Sequence, residues 1–192
     1  MFSHTVQRSL FMAVILVASS NAISREISYD YIQGTYSSVT DSSFPNDIDG
    51  DRFGVSGSLG VTQNLALTAG FNATSFDNDL DTSQFVLGIT LHAPIAVGTE
   101  VVGNLSALKA KIEGTNFDDS DTGFIAGIGL RHLVTSSVEL DAGISYTDVY
   151  DDNFTTFGFG ARLYANEIIS FGIGYATGDD VDTILLNARF DI

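Results

Sequence analysis

Two short runs of aspartate have the spacing most suggestive of chemistry. Asp47-x-Asp49-Gly50-Asp51 and Asp77-x-Asp79-x-Asp81 set carboxylates at alternate positions, as oxygen-rich calcium loops do. A complete loop of that kind closes on a glutamate at its twelfth position, and counted from Asp77 that position is Gly88. The runs are therefore candidate cation-binding loops, set against a plainer reading as solvated, self-repelling surface acid. They define no confident metal site.

A second constellation is spread along the chain. Arg131, Arg162 and Arg189 fall at alternate positions within stretches that alternate apolar and small residues, and so do Glu26, Asp30, Glu100, Glu139, Asp141 and His92. Charges of both signs on one face of strands are expected to pair, because isolated charges are costly to bury. The expected product is a salt-bridge network in a lumen, with a charged constriction that selects ions as the functional alternative. Arg131 and Arg162 lie on strands flanking Glu139 and Asp141. Arg189, near the end of the last strand, is expected to meet Glu26 or Asp30 on the first.

Catalytic groups are sparse. Of the three histidines, His4 lies in the leader, His92 precedes a short connection near Pro94, and His132 precedes another at Val134–Ser137. Both of the latter lie at the short-turn end, so no Ser-His-Asp arrangement can be assembled at the long-loop side. Gly127-Ile128-Gly129 opens no helix and so is no phosphate loop. The chain has no cysteine, which removes thiol redox chemistry and thiolate metal sites. The expectation is a protein that is not an enzyme and carries no cofactor.

The elements that must position these groups are strands. Phe53, Val55, Leu59 and Val61 alternate with Gly54, Ser56, Ser58 and Gly60; Phe85, Leu87, Ile89 and Leu91 stand against Gln84, Gly88, Thr90 and His92. Phe124–Leu130 and Phe157–Leu163 repeat the rule with glycine and arginine on the second face. Ten such stretches follow one another, strand one over Glu26–Tyr36 and strand ten over Thr183–Ile192. Their connections alternate between short ones, such as Thr62-Gln63-Asn64, and longer acidic ones, such as Glu113–Asp121. That rhythm predicts an all-β fold: a closed, antiparallel, up-and-down transmembrane β-barrel of about ten strands, with eight as the alternative. Short turns belong to the periplasmic rim with both termini, and long acidic loops to the outer rim. A soluble barrel would turn its apolar face inward. It is disfavoured because the second face, rich in Gly, Ser, Thr and Arg, suits a crowded lumen better than a water-facing exterior.

Residues 1–22 read as a cleaved signal peptide, with Arg8 before the apolar run Leu10–Ala18 and a small-x-small site at Ser20-Asn21-Ala22. Residues 23–192 are then the barrel, exported to a bacterial outer membrane. A net charge of −16 disfavours nucleic acid as a partner. Lys109 and Lys111 take the lipid-facing parity, where they meet lipid A phosphates, unless a bulge turns them inward. The expected partners are outer-membrane lipid and lipopolysaccharide, the assembly machinery through the ending Leu186-x-Ala188-x-Phe190-x-Ile192, and small solutes or divalent cations. The barrel is expected to be a monomer.

The stretch Ile27-Ser28-Tyr29-Asp30-Tyr31-Ile32-Gln33-Gly34 resembles the first strand of a small outer-membrane family that includes a plant-pathogen protein once called an activator of immunity. The likeness continues through Asp49–Ser58 and Ala69-Gly70-Phe71-Asn72, and as a pattern to Arg189-Phe190. It implies a signal-bearing, small outer-membrane barrel with acidic loops, similar more broadly to envelope-stabilising and narrow porin proteins. That family offers no agreed catalytic residues to carry over. The roles expected are a porin-like narrow channel or an envelope-structural barrel, against a surface interaction protein whose acidic loops bind divalent cations or a partner. An outer-leaflet enzyme is the minor alternative.

Overall fold

A computed structural model describes residues 25–42, 47–77, 80–115 and 117–192; the expected leader and Asp79 lie outside these residues. The ten strands are β1 (Tyr31–Asp41), β2 (Ile48–Thr62), β3 (Leu65–Phe76), β4 (Leu80–Ala96), β5 (Thr99–Gly114), β6 (Phe117–Thr135), β7 (Val138–Val149), β8 (Asp152–Tyr164), β9 (Ile169–Gly178) and β10 (Val181–Asp191). Each pairs antiparallel with its sequence neighbours, and β1 pairs with β10 from Tyr31↔Asp191 to Asp41↔Val181, which closes the barrel. Closure leaves no strand edge unpaired, the condition for a sheet in a bilayer. Ten strands are observed, not eight.

The alternation read from sequence becomes an inside and an outside. Ile32, Phe53, Leu67, Leu87, Phe159 and Ile173 point out of the barrel and are exposed to a degree that only a lipid environment would satisfy. Near the long-strand rim the outward aromatics pair across strands, Tyr36 with Phe53 at 5.0 Å and Phe124 with Tyr146 at 5.9 Å between ring centroids. These pairs form part of an interfacial girdle. Bulges at Gly60/Thr62, Pro94/Ala96 and Leu133/Thr135 terminate three ladders at the opposite, short-turn rim.

Two expectations are corrected. Strand one begins at Tyr31, not Glu26, and residues 25–30 precede the ladder. The long acidic loops are mostly absent: β7 and β8 are joined by Tyr150-Asp151 and β9 and β10 by Asp179-Asp180. Both residues of each turn have positive φ, between 42° and 69°, the signature of a type I′ hairpin turn matched to strand twist. The acids lie instead within strands that run on past the girdle, Asp118, Asp119 and Asp121 in β6 and Asp49 and Asp51 in β2. A ladder is held by backbone hydrogen bonds, so it continues above the membrane whatever the side-chain charge. Charge had been the signal for a loop.

Candidate functional site

The lumen near the short-turn rim is filled by a layer of charged and aromatic side chains. Arg131 on β6 and Glu139 on β7 form a forked pair, with Nε donating to Oε1 at 2.9 Å and Nη2 to Oε2 at 3.1 Å. The Tyr164 hydroxyl on β8 donates to the same carboxylate at 2.6 Å. Glu139 is only 1% exposed, as is Leu133 beside it, while Tyr164 is 5% exposed. A carboxylate this deep is tolerable only because three donors and a guanidinium charge replace its water.

Tyr29 stands opposite. Its backbone leads into β1, yet its ring stacks on His92 of β4 at 3.6 Å and its hydroxyl donates to Glu100 of β5 at 2.7 Å. The Arg131 guanidinium lies 5.0 Å above the same ring. Since β4, β5 and β6 lie across the barrel from β1, Tyr29 bridges the lumen. The remaining arginines are each held differently. Arg162 donates to Gln33 at 2.9 Å and to Ser170 at 3.2 Å. Arg189 donates to Asp191 at 2.8 Å and to the Ser28 carbonyl, and its guanidinium lies 3.8 Å over the Tyr31 ring.

The expected network is thus brought together in part. Arg131, Glu139, Glu100 and His92 share one layer, the last two approaching to 3.5 Å. Asp141 faces Arg131 in register, but the guanidinium turns to Glu139. The Asp141 carboxylate lies over Gly160, in space that a Cβ there would occupy. Glu26 and Asp30 do not face the lumen as expected. Glu26 is exposed, and Asp30 accepts the Gly60 amide at 2.6 Å. The inward parity before and along β1 is odd, through Ile27, Tyr29, Tyr31 and Gln33. Arg189 accordingly meets Asp191 and Ser28 rather than Glu26 or Asp30. Sequence reasoning missed Arg25, Tyr29, Tyr164 and Asp191. Asp191 shares the parity of Arg189, a signal that was there to be read.

A second packed cluster lies in the outer half, on the β4–β7 side. Leu108 and Ala110 of β5 and Val149 of β7 are buried facing inward, with Val86, Ile125 and Tyr150 packed against them. Beside the inner layer lies a cavity of about 550 Å³ lined by Gln33, Asn104, Asp141, Arg162 and Asn187, with Gly129, Gly143 and Gly158 forming one wall.

The aspartate runs do not converge. Asp49 accepts the Thr40 hydroxyl at 2.8 Å and Asp51 the Tyr36 hydroxyl at 2.6 Å. Asp47 and Asp81 are exposed, and the Asp77 amide donates to the Asp49 carbonyl. Among the described residues no group of three or more acids or histidines is placed to hold a metal ion. Lys109 is exposed on the lipid-facing parity opposite Phe85. Lys111, above the girdle, pairs with Glu113 at 2.7 Å and Asp118 at 3.1 Å, and the hydrogen bond it donates to Glu113 chiefly holds its ammonium above the ordinary lysine value.

Residues 10–164 match the family model described as outer membrane protein beta-barrel domain. Among solved structures, KdgM porin in complex with disordered oligogalacturonate superposes with a TM-score of 0.51 at 8% identity, covering 84% of this chain and 99% of that one. The translocator domain of autotransporter NalP from Neisseria meningitidis also scores 0.51, at 10% identity, covering 88% of this chain and 91% of that one. At such identities the likeness is one of fold. No curated protein matches the sequence.

Proposed function

The chain belongs to the outer membrane protein beta-barrel domain family, and from that premise we propose that it is an envelope-structural barrel of the bacterial outer membrane whose lumen is sealed at rest. The observation that carries this reading is the burial of inward side chains at two levels, Glu139, Leu133 and Tyr164 near one rim and Leu108, Ala110 and Val149 near the other. An open pore would leave inward groups wet at every level. Ten strands enclose a lumen near the size that side chains can fill. The polar groups of the inner layer are mostly spent on one another, so the reading includes no catalytic step and no cofactor. The resemblance of residues 27–34 and 49–58 supports placing the chain with the small barrels that include the plant-pathogen activator of immunity. Lipid is the partner in this reading, and the alternating end of β10 is the segment offered to the assembly machinery.

A porin-like narrow channel is the second reading, favoured by the cavity beside the inner layer, into which Gln33, Asn104, Asp141, Arg162 and Asn187 bring polar groups. Single-channel recording of refolded protein in planar bilayers separates the two. Wild-type protein that is inserted and heat-modifiable is expected to be silent, and Arg131→Ala to give discrete current steps. Steady channels from wild type would refute the sealed barrel.

A further inference from the structure

The inner layer has an unusual origin: part of it comes from a segment outside the sheet. Residues 25–30 precede β1 and cross the periplasmic mouth of the barrel. We propose that this segment is a strap that closes the barrel from the periplasmic side, with Tyr29 as its stopper and Arg25 as its latch, and that its release is how the lumen opens. The inference rests on the sealed-barrel reading and names the element that makes the inner seal.

The stopper is defined by reach. Tyr29 starts beside β1 and ends between His92, Glu100 and Arg131 on the far wall, and it is 8% exposed. Ile27 follows the same inward parity and packs with Ala66, Leu133 and Tyr164, which come from β3, β6 and β8. Two anchors two residues apart therefore reach β3, β4, β5, β6 and β8, half of the strands of the barrel.

The latch is defined by its partners. Arg25 donates to the carbonyls of Asn166 at 3.1 Å and Glu167 at 3.0 Å in the β8–β9 turn, and its guanidinium lies 3.7 Å over the Tyr164 ring. It also pairs with Asp191 at 3.0 Å. Asp191 holds Arg25 through Oδ2 and Arg189 through Oδ1, and Arg189 reaches back to the Ser28 carbonyl. The strap is thus tied at both ends to one carboxylate. Apart from the Ile192 amide, which donates to the Asp30 carbonyl at 2.9 Å next to the start of β1, these ties run through side chains; the ladder with β2 and β10 begins at Tyr31, so residues 25–29 can leave without breaking it.

The absence of cysteine makes the test clean. A single Asn104→Cys reports on the central cavity. Full-length protein carrying it is placed in oriented vesicles, and a membrane-impermeant maleimide is added to the short-turn side. Alone, Asn104→Cys is expected to react slowly. Adding Tyr29→Ala or Arg25→Ala should speed labelling by about tenfold or more, a tenfold rise in open population matching about 1.4 kcal/mol of lost closure. Tyr29→Phe, which keeps the ring, should remain close to the parent rate. Heat-modifiable mobility confirms that each variant is folded. Unchanged labelling in both alanine variants overturns the strap while a silent wild type leaves the sealed barrel standing. Tyr29→Phe as fast as Tyr29→Ala overturns the stopper role. Wild-type conductance would instead refute the sealed barrel itself.

Discussion

Replacing Arg131 by methionine while Glu139 stays in place is expected to cost the barrel about 3–5 kcal/mol, the usual penalty for leaving one member of a buried ion pair uncompensated. The structure gives reasons to expect the full range. Glu139 is 1% exposed, and two of its three donors belong to Arg131, leaving only the Tyr164 hydroxyl. The same replacement also lifts a cation from the Tyr29 ring, worth about 0.5–2 kcal/mol. The decisive comparison is the double variant Arg131→Met with Glu139→Leu. Removing both charges should recover at least about 2 kcal/mol, because an apolar pair of similar volume in such a site is often neutral or stabilising. Recovery stays incomplete, since the Tyr164 hydroxyl loses its acceptor at a cost of about 1–3 kcal/mol. The assay is equilibrium urea unfolding from lipid vesicles, followed by far-ultraviolet circular dichroism and by heat-modifiable gel mobility. The chain has no tryptophan to report by fluorescence. A single-variant cost below about 1 kcal/mol would place the pair among solvent-screened bridges. A double variant as unstable as the sum of the singles would show that the two residues act independently. Either result would refute the reasoning that this layer is dry and tightly coupled.

Glycine substitutions should divide sharply by what lies opposite. Gly123→Ala places its Cβ 1.8 Å from the Asp148 carbonyl, a backbone group that cannot yield, and is expected to loosen the β6–β7 pairing and lower the urea midpoint. Gly160→Ala meets only the flexible Asp141 carboxylate at 2.7 Å, and its midpoint should stay near wild type. Lys109→Gln is expected to weaken retention of lipid A by detergent-solubilised protein in native mass spectrometry, while Lys111→Gln, whose charge Glu113 and Asp118 already offset, should not; equal loss from both would show that Lys109 is not a specific contact.

Much of the barrel was legible because a bilayer imposes a simple rule on a strand: apolar residues outward, the rest inward, with period two. Phe53, Val55 and Leu59 obey it, as do Phe85, Leu87 and Ile89, and both sets are exposed on the outside as the rule requires. Arg131 and Glu139 were legible as inward neighbours for the same reason. The rule fails where the lumen itself is packed. Ile27, Tyr29 and Tyr31 face inward, so a pattern that sends apolar residues to lipid assigns Glu26 and Asp30 to the interior and inverts the whole segment. At the outer rim, acids that looked like loops are strand residues, because the ladder needs only backbone partners.

The sequence by itself determined the barrel fold, the outward face and the placing of charges of both signs on the inner one, because these follow from period two and from the cost of exposing charge to lipid. Only the tertiary structure decided which charges meet. Arg131 has Asp141 directly opposite in register and Glu139 on the diagonal, and it takes Glu139 because Tyr164 from the next strand completes that carboxylate's shell. It also decided that residues 25–30 cross the mouth. Their partners on β4, β5, β6 and β8 become neighbours only when the sheet closes, and no local pattern in the chain encodes a contact made across the diameter of a ring.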